Sequence, residues 1–160
     1  ITEIVVSYNK KLIVKLHPSP DEYDPSKILK KIDPEIKIIK TGNIAELIKK
    51  CVLLIVIDVS TSIIDAHLLG KPVISVAVFR TSSIEVKATK TGLPTVLENN
   101  SCALADISSF EKIFYQMIND DEFRKKIIKN ANESIQKHIS FPRDGATALL
   151  TFLEKFENKL

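Results

Sequence analysis

Short β-branched runs that alternate with amphipathic segments predict an α/β fold: an open parallel sheet with helices on both faces. Two observations carry this. Residues 12–16, 36–39, 52–59 and 72–78 are apolar and strand-like, and each pair is separated by a segment with apolar residues at helical spacing. Residues 52–59 are apolar on both faces apart from Asp58, the pattern of a central strand covered by helices on both sides. Alternating strands and helices join through right-handed crossovers into an open parallel sheet.

Each element has its own signal. Ile1, Ile4, Val5 and Tyr8 recur at helical spacing, so residues 1–8 read as a helix. The strand at 12–16 stops at His17-Pro18-Ser19-Pro20, because proline cannot continue a ladder. A helix follows at 26–32 and a strand at 36–39. Asn43 is placed to cap a helix carrying Ile44, Leu47 and Ile48. Ser60-Thr61-Ser62 forms a turn and cap cluster before the helix of Ile63, Ile64, Ala66, Leu68 and Leu69, and Gly70 ends that helix at C′.

Residues 79–100 read as a long loop, with a short strand at 95–97, and loops of that length are often functional. Everything beyond is expected to be helical, in three apolar stripes: Ile107, Phe110, Phe114, Met117; then Phe123, Ile127, Ala131, Ile135, His138; then Ala146, Leu149, Leu150, Leu153, Phe156. Phe141-Pro142-Arg143-Asp144-Gly145 separates the last two.

The bulk properties narrow the function. A chain of 160 residues, 44% apolar, suits one domain with a real core. The 23 Lys and Arg against 20 Asp and Glu leave a net charge of +3, spread without a concentrated stripe, so nucleic acid is not the expected partner. Cys51 and Cys102 lie far apart and fit buried thiols in a reducing compartment. His17, His67 and His138 are isolated from other ligand types, so no metal site is expected. No GxxxxGK or GxGxxG motif occurs, which removes ATPase and classical dehydrogenase readings, and no GxSxG elbow is present. The chain opens on Ile1, already at helical spacing, and reads as part of a longer protein.

Open parallel sheets bind ligands beyond the carboxyl ends of their strands. That rule selects His17, Thr41-Gly42, Ser60 to Ser62, and Phe79-Arg80. Ser60, Thr61 and Ser62 sit where a helix N-terminus attracts phosphate and hydroxyls can add hydrogen bonds, although one of them acting as a simple cap accounts for the cluster equally. Asp65, three residues after Ser62, can close a capping box or accept from ribose hydroxyls. His17 can donate to a phosphate or serve only the fold, and Arg80 can grip an anion in a fork. His67, mid-helix, is expected to be packed or solvated.

The order of LIVKLHPSP (residues 12–20) and NIAELIKKCVLLIVIDVSTSIIDAHLLGKPVI (residues 43–74), with Asp144-Gly145-x-Ala late in the chain, resembles the C-terminal domain of GT-B glycosyltransferases. It is most similar in flavour to CDP-glycerol glycerophosphotransferases and capsule polysialyltransferases. The resemblance covers residues 10–150 and implies a Rossmann-like half of a two-domain enzyme, with residues 1–160 forming one nucleotide-sugar-binding domain. By position, His17 would contact the donor phosphate, Ser60, Thr61 and Ser62 would line it, and Asp65 would lie near the ribose.

The resemblance further implies a CDP-, CMP- or UDP-linked sugar or polyol as donor substrate, with no separate cofactor. The acceptor and the general base would belong to an N-terminal domain outside this chain, so no catalytic residue is assigned and the isolated chain is expected to turn over little. Such enzymes are cytoplasmic, in some cases peripheral at the inner membrane face through the missing part. Two alternatives stand beside this. UDP-N-acetylglucosamine 2-epimerases share the half-fold and a His and Gly-x-Pro-Val strand followed by Arg, but their Ser-Gly-Gly and paired acids are replaced here by Ser60-Thr61-Ser62-Ile63-Ile64-Asp65. A non-catalytic nucleotide- or partner-binding half-domain is the other.

Overall fold

The computed structural model describes residues 1–17, 23–78 and 95–138. The chain runs α1 (Thr2–Ser7), β1 (Ile13–Lys15), α2 (Ser26–Ile32), β2 (Lys37–Ile39), α3 (Ile44–Lys50), β3 (Leu54–Ile57), α4 (Ser62–Leu68) and β4 (Val73–Ala77). Among the described residues a 3-10 turn (Thr95–Asn100), β5 (Ala103–Asp106), α5 (Phe110–Asn119) and α6 (Asp121–His138) follow. The fold is α/β, with strands and helices alternating and every strand pair parallel.

Hydrogen bonding divides the strands into two open sheets. β1 pairs with β2, Val14 opposite Ile38. The other sheet has the order β3-β4-β5. β4 is therefore the middle strand of that sheet, where the sequence pointed to β3. Val73, Ile74, Ser75 and Val76 are all buried, whereas Ile57 of β3 is 48% exposed and Val52 before it 81%. Among the described residues β3 pairs with β4 alone, so the continuously apolar strand stands at an edge of this sheet.

Side chains of β4 alternate between two cores, as a strand's period of two requires. Ile74 and Val76 pack with Val5 of α1, Phe110, Phe114 and Met117 of α5, and Ile127 of α6. Val73 packs with Ile48 of α3, Ile63 and Ala66 of α4, Val56, Leu97 and Cys102. Phe110 and Phe114 stack at 5.7 Å between centroids, and Tyr8 meets Phe114 edge-on at 5.6 Å.

The local signals for two helix ends are realised. Asn43 accepts the Ala45 N–H at 2.9 Å, satisfying an amide that the first turn leaves unpaired. Gly70 takes φ +64°, and the Gly70 and Lys71 amides donate to the His67 and Ala66 carbonyls, a Schellman ending that a Cβ would strain.

Three expectations are corrected. Residues 95–97 form part of a 3-10 turn, not a strand. Ala103–Asp106, read as helical, is a strand paired with β4, its Ala103 and Ala105 each 5% exposed. Ile107 stands 74% exposed, outside the stripe that buries Phe110, Phe114 and Met117. The last apolar stripe and the Asp144-Gly145 segment lie outside the described residues. Among the described residues no helix is long and apolar enough to cross a membrane.

Candidate functional site

Parallel pairing brings the carboxyl ends of β3, β4 and β5 to one edge, with Ile57 opposite Val76 and Ala77 opposite Asp106. Asp58 comes directly after β3 and has φ +52°, a left-handed conformation that Asp and Asn tolerate better than other side chains. Cross-strand bonds hold it there. Its N–H donates to the Val76 carbonyl at 2.8 Å, its carbonyl accepts from Ser75 Oγ at 2.5 Å, and its carboxylate accepts the Val78 N–H at 2.7 Å. Ser75 is 0% exposed, so this bond also satisfies a hydroxyl sealed inside β4. The turn at Asp58 sends the chain outward to Ser60.

Ser60, Thr61 and Ser62 are brought together at the start of α4. Ser60 Oγ lies 2.8 Å from Ser62 Oγ and accepts the Ser62 N–H at 3.3 Å. Ser60 and Ser62 are half-buried and Thr61 is exposed. Thr61 occupies the N-cap in αR conformation without a side-chain cap. The Ile63 and Ile64 amides donate to the Ser60 and Thr61 carbonyls at 3.1 and 3.0 Å. Amides 62 to 64 are thus engaged locally, so the hydroxyls, rather than free N–H groups, are the donors this turn offers to an anion.

Asp65 is half-buried in the first turn of α4. With Thr61 as N-cap it is the fourth helical residue, one position past the capping-box spacing. Its charge still favours the helix start.

His17 is exposed just beyond β1, so it belongs to the other sheet. Beside it, Lys15 Nζ donates to the Leu16 and Lys40 carbonyls at 2.7 and 2.9 Å. This ammonium ties together the exits of β1 and β2 and places a positive charge at their carboxyl ends. Its charge was hidden in the sequence among many surface lysines. Arg80 lies outside the described residues.

A further acid sits at the β5 exit. Asp106 accepts from Ser108 Oγ at 2.7 Å, from Ser109 N–H at 2.8 Å and from Ser109 Oγ at 2.7 Å. These donors, the Ser108 hydroxyl foremost, hold its pKa down at about 2. The sequence signal was an Asp two and three residues before hydroxyls, a pattern that also makes ordinary turns. Its role here is to shape the turn into α5.

His67 and Cys102 are buried, with Nε2 and Sγ 3.5 Å apart, and Cys51 is half-buried. Among the described residues no group of three or more His, Cys, Asp or Glu could hold a metal ion. No protein-family model matches the sequence, and no match was found among curated proteins. The strand exits offer a pair of hydroxyls with an exposed neighbour on one sheet and, separately, an imidazole and an ammonium at the end of the other.

Proposed function

We propose that this chain is the Rossmann-like, donor-binding half of a GT-B glycosyltransferase, taking a nucleotide-activated sugar or polyol for transfer to a glycan or polymer acceptor. The observation that carries the reading is the accessible Ser60–Ser62 hydroxyl pair at the carboxyl edge of a parallel sheet. Hydroxyls at that edge donate hydrogen bonds to phosphate oxygens and stabilise charge on a leaving phosphate. Lys15 supplies an ammonium at the β1 and β2 exits, the carboxyl end of the other sheet. Acceptor binding and the general base fall to a partner domain in this proposal. Titration calorimetry with CDP, CMP and UDP tests it. Weak, saturable binding of at least one is expected, and none binding at millimolar concentration counts against the proposal.

A further inference from the structure

His67 lies in the last turn of α4, 4% exposed, against the two residues that lead into β5. Ser101 and Cys102 there are 0% and 1% exposed. Cys102 Sγ is 3.5 Å from the imidazole Nε2, and the Ser101 backbone hydrogen-bonds the ring. A neutral imidazole suits both neighbours, donating through one nitrogen and accepting the thiol S–H on the other. A protonated ring has only donors, so the thiol bond must reverse or break. It would also carry a charge in a place closed to water.

The buried polar or charged residues that the structure describes are His67, Ser75, Ser101 and Ser134, with no acid among them. α4 packs on α3, β3, β4 and α6, and Leu97 of the 3-10 turn, whose one ionisable residue is Glu98, packs with Ile63 and Ala66. β3 and β4 carry no ionisable side chain, and Asp58, one residue past β3, is turned to the Val78 N–H at the far edge. The described acids and lysines of α3 and α6 are exposed. Arg124, half-buried on α6, has the wrong sign and is turned to the Met117 carbonyl at 2.9 Å. On α4 itself Asp65 is half-buried near the opposite end, and Lys71 lies just past the helix. Burial accordingly lowers the ring's pKa below its ordinary value, against the Ser101 bond, which favours the charged form.

We propose that His67 is an acid-sensitive catch, whose protonation releases α4 from the connection into β5. The catch is closed above the unfolded-state value of about 6.5 and weakens as pH falls below it, because the opened state takes up the proton more readily. Since α4 begins at Ser62, its release would also loosen the hydroxyl turn.

Hydrogen exchange on this chain from pH 7.5 to 5 tests the proposal. Protection of the α4 and 101–104 amides, corrected for intrinsic exchange, should fall by up to about tenfold per pH unit below 6.5, while β1–β2 amides hold. His67→Gln should abolish that dependence. Equal pH dependence in the variant, or none in the wild type, overturns the proposal. If His67→Gln does not fold, the wild-type ring is titrated by NMR: protonation without a shift in the α4 amides overturns it, and a concerted shift upholds it.

Discussion

The Asp58 carboxylate accepts the backbone N–H of Val78, twenty residues on, at 2.7 Å. This bond locks the exits of two paired strands and fixes a left-handed turn just before the hydroxyl cluster. Asp58→Ala removes the acceptor and leaves the β-carbon in that left-handed conformation without the hydrogen bond that offsets its strain. The expected cost is about 1–3 kcal/mol. Asp58→Asn keeps an oxygen acceptor and tolerates the same backbone, so it should cost less than about 1 kcal/mol. Urea unfolding at neutral pH measures both, and equal losses would show that the carboxylate charge, not the turn, matters.

The two serines make separable contributions. Ser60→Ala removes the acceptor for the Ser62 N–H, so it should lower stability by about 0.5–1 kcal/mol and also weaken nucleotide binding. Thr61→Val alters an exposed hydroxyl without a capping role, so a change in binding with unchanged stability would assign Thr61 to the ligand. If the preferred nucleotide binds, each alanine substitution at Ser60 or Ser62 should weaken it by roughly fivefold to tenfold, the worth of one hydrogen bond. Calorimetry on folded variants reads this directly, and unaltered affinity in both would remove the cluster from the donor site.

Much of this arrangement was legible locally. β-Branched runs gave the first four strands, and Asn43 and Gly70 announced their helix boundaries because each acts on its own neighbours. β5 was not legible: Ala103-Leu104-Ala105-Asp106 has no β-branched residue, and it is a strand because its small side chains fit between β4 and the helices. The position of β4 in the middle was obscured by Ser75, a polar residue whose partner is the Asp58 carbonyl across the sheet. At the site, the hydroxyls could be read from the sequence. The latch on Val78 and the Lys15 clamp could not, since both are made by contacts between distant segments.

Asp106 supplies a test in acid. Its folded pKa, about 2, lies below the ordinary value of 3.8. A depressed carboxylate stabilises the fold fully above 3.8 and loses that contribution as pH falls toward 2. Asp106→Asn should therefore flatten the fall in urea midpoint between those values while changing little of the slope from His67 at higher pH. An unchanged acid limb would mean that the serine donors do not distinguish the charged form.

Leu97 and Ile107 give opposite expectations for two leucine-sized side chains ten residues apart. Leu97 is 1% exposed in the 3-10 turn and packs with Ile63, Ala66, Val73 and Cys102. Asn99 and Asn100 come next with φ +59° and +53°, and Asn130 Nδ2 of α6 donates to the Asn100 carbonyl at 3.3 Å. The turn is thus held on the side of the sheet that carries α4. Leu97→Ala should leave a cavity there and cost about 2–5 kcal/mol, depending on how far the neighbours relax. Ile107→Ala removes a side chain that is 74% exposed and should stay within about 0.5 kcal/mol. Paired urea melts decide the matter. A large loss at Ile107 would return it to the core stripe its spacing suggests, and a small one at Leu97 would mean that the 3-10 turn does not close this face of the sheet.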